Sequence, residues 1–411
     1  MAITLGCSDN PTKQAKFQDS RSFEQILGTH FNSVEKKHYS PPSFEALTIP
    51  EINKTSAIWG ATGRDDQGNI YLGVSSRPNQ NNTAYLYQYS PEYSQFSPQS
   101  DVISELKKSG LHEEGMSQNK IHSKIYQAND GYLYFTSFDE KGENAKKGIP
   151  PKHGGHLWRK KPKAKNWEHI LATKEALIAL NTNGQYIYSL GYWGHVLYQF
   201  DTLSEQVKSI NLKSLNQHIS RNFLVTPKGH VFVPYILNTE ENQVAVTLNQ
   251  YDSDLVLVST HSLEHYLNLS EYSQHGIISY TTMKNGDIYF ITGQGALYSL
   301  KLSDNNSYEV NFEIFLDDEQ QKGSYLASLF TLDGQNFLAA LGRQKSTPGY
   351  SWIVYETSLK VMASFPISSI NKKTLLYGSV TRDDQGNLYI VGTDMTNKKQ
   401  HKPTIIKASY N

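Results

Sequence analysis

One cysteine in 411 residues removes any internal disulfide and leaves no material for a thiolate metal cluster. Net charge is missing too. The 39 Lys and Arg balance 39 Asp and Glu, so no global field favours nucleic acid or an anionic membrane. An anionic ligand must therefore meet a local basic site. No apolar run approaches the length of a membrane-spanning helix. Familiar catalytic signatures are also absent: no glycine-rich phosphate loop, no G-x-S-x-G elbow, no H-E-x-x-H pair, no S-x-D-x-G-x-T-W box. Acidic residues fall mostly in turns and loops, so paired carboxylates cannot be picked out.

What the chain does have is one turn, written seven times. Asp65-Asp66-Gln67-Gly68, Asn129-Asp130-Gly131, Asn183-Gly184, Lys228-Gly229, Asn285-Gly286, Asp333-Gly334 and Asp383-Asp384-Gln385-Gly386 each precede an apolar, often Tyr-containing strand. Such turns need φ > 0, which Gly and Asn adopt at little steric cost, so each marks a tight hairpin. A period of roughly fifty residues signals a closed repeat array. The expectation is an all-β, seven-bladed β-propeller. The 27 Tyr residues suit strands, and a share could also line a wet groove for sugars.

The blades read as 55–110, 118–173, 174–213, 217–265, 272–317, 322–370 and 373–411. The last holds about three strands where four are needed, so the segment 44–52 is expected to supply the fourth and close the ring. Residues 41–411 then form one propeller domain, preceded by a disordered or extended segment, 1–40, with a short helix around 22–27. Within that segment, Ile3-Thr4-Leu5-Gly6-Cys7-Ser8-Asp9 resembles the end of a bacterial lipoprotein signal. It raises the expectation of a secreted, periplasmic or outer-membrane protein held to a membrane through lipidated Cys7; an unremarkable N-terminus is the plain alternative. Polar insertions at 77–83 and 139–152 follow the second strands of two blades and should rim a groove on one face.

Candidate chemistry concentrates in blades 2 to 4. Lys120-Ile121-His122-Ser123-Lys124-Ile125 opens the inner strand of blade 2, and His218-Ile219-Ser220-Arg221-Asn222-Phe223 opens blade 4. His153-Gly154-Gly155-His156-Leu157-Trp158-Arg159 and Gly191-Tyr192-Trp193-Gly194-His195-Val196 each place a Gly-His pair before a third strand, so His156 and His195 are expected at equivalent sites. Each residue has a structural alternative. A His at a strand start often only plugs the gap between blades, Trp158 and Trp193 suit blade core, and Arg221 can bridge carbonyls. His153 and His156 could ligate a metal, but the pair lacks further ligands. Together the set suits β-elimination at a uronic acid. Arg clamps the carboxylate, which acidifies the C5 proton, and His or Tyr moves protons.

These motifs resemble seven-bladed propeller enzymes acting on rhamnose–glucuronate glycans: the ulvan lyases, with propeller α-L-rhamnosidases as relatives. The similarity is strongest over roughly 118–235. It implies a polysaccharide lyase that cuts rhamnose–uronate linkages of ulvan, an anionic polysaccharide, and leaves unsaturated uronate ends. The alternatives are an α-L-rhamnosidase and a non-catalytic glycan-binding propeller. Carried over, His122 and His156 match the family's His positions and Arg221 its carboxylate clamp. The Tyr is Tyr188 or Tyr192, with Tyr272 or Tyr280 from blade 5 as further choices. His195, Lys124, Asn222, Tyr272, Tyr280 and His153 would contact substrate. An insertion before His153 lengthens the spacing between the two His and leaves open which of His153 and His156 takes the second role. No cofactor is required, although the His-rich loops could hold a structural metal.

Overall fold

A computed structural model describes residues 40–50, 54–77, 82–144, 147, 149–191, 195–214, 220–238, 244–266, 276–316, 325–343, 349–397 and 401–410. The expectations placed on Cys7, 22–27, Tyr192, Trp193, His218 and Tyr272 lie outside these residues.

Glycine sets the hairpins. All seven turn glycines have φ between +77° and +99°, the region that costs other residues a Cβ clash. Where the turn begins with Asp, the carboxylate closes it. Asp383 Oδ1 accepts the backbone N–H groups of Gln385 and Asn387, both at 2.9 Å. Its Oδ2 accepts Asn387 Nδ2 at 2.8 Å and the Tyr389 hydroxyl at 2.9 Å. Asp65 repeats this with Gln67, Asn69 and Tyr71, and Asp130 does so with Tyr132 and Tyr134. Part of the tyrosine excess is thus explained: buried phenols anchor turns.

Seven antiparallel sheets follow, of four or five strands each. Blade 7 has the order Ser43–Leu47, Lys402–Ser409, Leu388–Asp394, Thr374–Arg382. The N-terminal strand therefore closes the ring as the outermost strand, Ser43 opposite Ser409 and Leu47 opposite Ile405. Phe44 packs edge-on against Trp352 of blade 6, with centroids 5.8 Å apart. Between blades 1 and 7, Tyr89 meets Tyr389 at 5.7 Å. The insertions fall where expected, after Ile70–Ser76 and after Leu133–Phe138. One helix, Val102–Lys108, escaped the sequence reading. Asp101 caps it by accepting Ser104 N–H at 3.0 Å, while Glu105, buried within it, accepts Trp167 N–H at 3.1 Å.

The inner strands are broken. Those of blades 1 and 2 split into Thr55–Ala57 with Thr62–Arg64, and Lys120–Ile121 with Tyr126–Gln127. Bulges interrupt blades 3, 5, 6 and 7 between Leu177/Ala179, Ile277/Ser279, Leu326/Ser328 and Tyr377/Val380. Each break strands a ladder N–H, and serines repair several. Ser123 Oγ accepts Thr136 N–H at 2.8 Å, and Ser279 Oγ accepts Leu329 N–H at 3.1 Å. Bulges re-aim side chains. Ile278, Gly378 and Ser379 sit inside two of these bulges.

Around that axis the backbone of neighbouring blades nearly touches. A Cβ on Gly63 would stand 1.8 Å from the Ile125 carbonyl oxygen. Gly63→Ala should therefore cost about 2–3 kcal/mol, read as a lower urea midpoint at unchanged slope. An unshifted midpoint would mean that blades 1 and 2 are not packed this tightly.

Candidate active site

Five blades meet at a small axial recess. Blade 1 contributes Trp59 and Gly60, blade 2 His122 and Lys124, and blade 4 Arg221 and Asn222. Ile278 of blade 5 and Gly378 and Ser379 of blade 7 complete it. Every one of these residues stands seven to nine positions before its own turn glycine, as His122 stands nine before Gly131. The repeat itself thus marks the ring. The volume is about 10 Å³, room for one water. Anything larger than a water must lie across the mouth, with at most one substituent dipping in.

The face is set by strand direction. Lys120 pairs with Phe138 and Ile121 with Ser137, so the start of the inner strand and the end of the second share one end of the sheet. The 139–152 insertion leaves from that end, so it rises on the face where His122 lies. A wider cleft of about 600 Å³ opens on the other face, between Gln67, Gln88, Tyr93, Gln99 and Lys163. It is larger, but it gathers none of the candidate residues.

Aromatic rings hold the cations in place. His122, 8% exposed, stacks parallel on Trp59 with centroids 6.5 Å apart and also meets Phe138 at 6.1 Å. Arg221 lies over the Tyr377 ring at 5.2 Å, and Tyr377 packs on Trp59 at 4.7 Å. Lys124 Nζ sits 3.7 Å from the centroid of the Tyr280 ring. Burial pushes the Lys124 ammonium down to about 7. Asn222 Nδ2 donates to the carbonyls of Ile277 at 3.0 Å and Ile278 at 2.8 Å, tying blade 4 to blade 5. Lys120, over Trp59 at 5.4 Å, is ion-paired with Glu140. No carboxylate lines the recess among the described residues.

The structure thus brings together His122, Lys124, Arg221 and Asn222, with Tyr280 against Lys124. Other candidates lie elsewhere. Tyr188 is fully buried between blades 3 and 4; its hydroxyl donates to the Gly229 carbonyl at 3.1 Å and accepts from Gln199 Nε2. Burial pushes its phenol up to about 12, against the depression a base would need. The Tyr280 hydroxyl is bonded to that of Tyr126. Burial raises it well above the ordinary range despite the nearby lysine.

His156 is corrected as well. It sits inside the third strand of blade 2, opposite Ser137, with Nδ1 3.0 Å from His169 Nε2 and its ring against Trp158. Burial, with His169 next, holds it down to about 3. His195 is not its counterpart. The pairing of Gly155 with Phe138 and of Leu190 with Leu197 aligns His195 with Gly154, and both have positive φ, +51° and +57°. Strand register, not the shared Gly-His spelling, decides equivalence. His195 is buried, and its carbonyl accepts Leu212 N–H. His153 lies with Nδ1 4.0 Å from Glu113 Oε2 and is held down by burial. Among the described residues no three His, Cys, Asp or Glu side chains group to hold a metal ion.

Sequence reasoning missed Trp59, Tyr377 and Glu175. All three stand nine positions before their turn glycines, a count the sequence already carried. Glu175 occupies that ring position in blade 3, and burial pushes its carboxyl up to about 6.

No protein-family model matches this chain, and no curated protein matches it. Solved structures do. YCF48 from Cyanidioschyzon merolae is 10% identical with a TM-score of 0.52, over 89% of this chain and 98% of that one. Hydrazine synthase from Kuenenia stuttgartiensis is 11% identical at 0.52, over 89% and 99%. The extracellular domain of a hybrid two-component system from B. thetaiotaomicron is 15% identical at 0.50, over 90% of this chain but 40% of that one. At such identities the likeness carries architecture alone. The chain is a seven-bladed β-propeller.

Proposed function

We propose that this protein is a polysaccharide lyase that cleaves rhamnose–uronate linkages of ulvan by β-elimination. The observation that carries the reading is the recess itself: His122, Lys124, Arg221 and Asn222 converge there without a lining carboxylate among the described residues. A uronate carboxylate laid across the mouth would meet Arg221, whose planar fork suits bidentate binding. Neutralising that carboxylate acidifies C5. A basic group at the mouth, His122 foremost, takes the C5 proton. The C–H electron pair becomes the C4–C5 double bond, the C4–O bond breaks, and the departing oxygen takes a proton. With one water's room below, the sugar ring stays above the cations and only a carboxylate oxygen enters. Hydrolysis is disfavoured because a glycosidase ordinarily works with two carboxylates flanking the bond. Export, with attachment through Cys7, fits a substrate too large to enter a cell and belongs to the same proposal.

Incubation with ulvan tests it. Ultraviolet absorbance of the unsaturated uronate should rise with time. A flat trace with free rhamnose would replace the lyase by a rhamnosidase, and a flat trace with retained binding would leave a glycan-binding propeller.

A further inference from the structure

The cleft on the face away from the recess lies between blades 1 and 2. Its volume of about 600 Å³ falls within the range of small-molecule sites. One wall is the blade 2 hairpin loop that carries Pro162, Lys163 and Lys165, and buried groups pin that loop in place. Lys160, fully buried, donates its ammonium to the carbonyls of Lys161 at 3.0 Å and Pro162 at 2.9 Å. Just past the loop, the helix Val102–Lys108 takes hold: Lys108 Nζ donates to Asn166 Oδ1 at 3.4 Å, and Glu105 accepts Trp167 N–H at 3.1 Å. A wall fixed in this way pre-organises a site.

The lining chemistry narrows the ligand. Gln67, Gln88 and Gln99 bring three carboxamides, each with two N–H donors and a carbonyl acceptor. Gln99 Nε2 donates to Gln88 Oε1 at 3.0 Å, which sets two of them side by side. Adjacent donors and acceptors match the neighbouring hydroxyls of a sugar, each of which both donates and accepts. Tyr93, 71% exposed, offers a ring on which the C–H face of a pyranose can rest. Lys163 and Lys165 add two exposed ammonium groups. The one carboxylate in the lining, Asp65, is 1% exposed and committed to its turn: it accepts the Gln67 and Asn69 N–H groups and the Tyr71 hydroxyl. The cleft therefore favours negative charge. We propose that it binds an acidic saccharide, with the carboxamides on sugar hydroxyls, Tyr93 under one ring and the two lysines on carboxylate or sulfate groups. The proposal does not rest on the lyase reading, since the cleft shares no residue with the recess and lies on the other face. It is a place to hold a glycan, not to cut one.

Calorimetric titration of the full chain tests it with four probes: trigalacturonate, sulfated maltotriose, plain maltotriose and triglutamate. The acidic saccharides should bind, and their ratio tells carboxylate from sulfate. Maltotriose should bind about tenfold more weakly, the effect of losing two exposed charge pairs. Tyr93→Ala should weaken every saccharide by up to about tenfold, the effect of one ring contact. Lys163→Ala combined with Lys165→Ala should bring the acidic saccharides down to maltotriose and leave maltotriose unchanged. All three positions are exposed, so an unshifted thermal midpoint is expected in these variants. Absence of saccharide binding overturns the site. Triglutamate binding as tightly as trigalacturonate would show charge without sugar recognition, and equal binding of plain maltotriose would show sugar without charge; either overturns the acidic-saccharide assignment. Binding that persists in the cleft variants but disappears in Arg221→Ala puts the ligand in the recess and overturns it as well. None of these readouts follows elimination, so a failure here and an absence of lyase product are separate results.

Discussion

On the proposed elimination, Arg221→Ala should lower ulvan cleavage by about 10²–10³-fold, the effect of removing one charge-stabilising donor from a transition state. Elimination builds negative charge on the uronate carboxylate, and Arg221 is the guanidinium at the recess mouth. The loss should appear mostly in kcat, because that charge grows after binding. Arg221→Lys should recover only part of it, since a point charge cannot reproduce the bidentate fork. His122→Ala should cost about 10²–10⁴-fold, as expected for a lost proton-transfer group. The thermal midpoint of each variant, measured alongside, separates a loss of fold from a loss of chemistry. Product formation at the original rate by Arg221→Ala would remove the clamp and the mechanism built on it.

His156 should matter for stability rather than for catalysis. Its folded-state value is depressed from 6.5 to about 3 by burial, so the folded protein binds a proton there less readily than the unfolded chain. The sign follows: the contribution is fully present above pH 6.5 and is lost as pH falls from there toward 3. At 3% exposure solvent screens it little, and the full loss amounts to about 3–5 kcal/mol. Thermal midpoints of the native protein should drop steeply through that window. In His156→Phe, which keeps an aromatic ring against Trp158, part of the slope should vanish, and the proposed ulvan cleavage should proceed at the native rate. Parallel curves for the two proteins would show that His156 does not govern the acid limb. Loss of lyase activity without loss of fold would return it to the catalytic set.

Local chemistry was legible because it is local. A turn that needs φ > 0 calls for glycine wherever it occurs, so the seven turns, the blade boundaries and the missing fourth strand could be read directly. Asp383 bonds Asn387 and Tyr389 within six residues, and the same letters recur around Asp65 for the same reason. His122, Lys124, Arg221 and Asn222 were legible too, since they fall on the inner segments of blades 2 and 4, the first two between Lys120–Ile121 and Tyr126–Gln127 and the last two just before Leu224–Val225. The tyrosines were not. Tyr188 and Tyr280 look alike in sequence, yet one plugs a blade interface and the other underlies a lysine.

The paired Gly-His words misled for a related reason. Identical spelling around His156 and His195 hides a difference in register, and register is fixed by the partner strand. So the chain alone determined how many blades form, where each hairpin turns and which end strand closes the ring. Those follow from backbone torsion and alternating burial, both set by near neighbours. Tertiary structure decided which side chains share the axis. That depends on bulges in the inner strands and on contacts between residues such as His122 and Arg221, which come together only when the ring has closed.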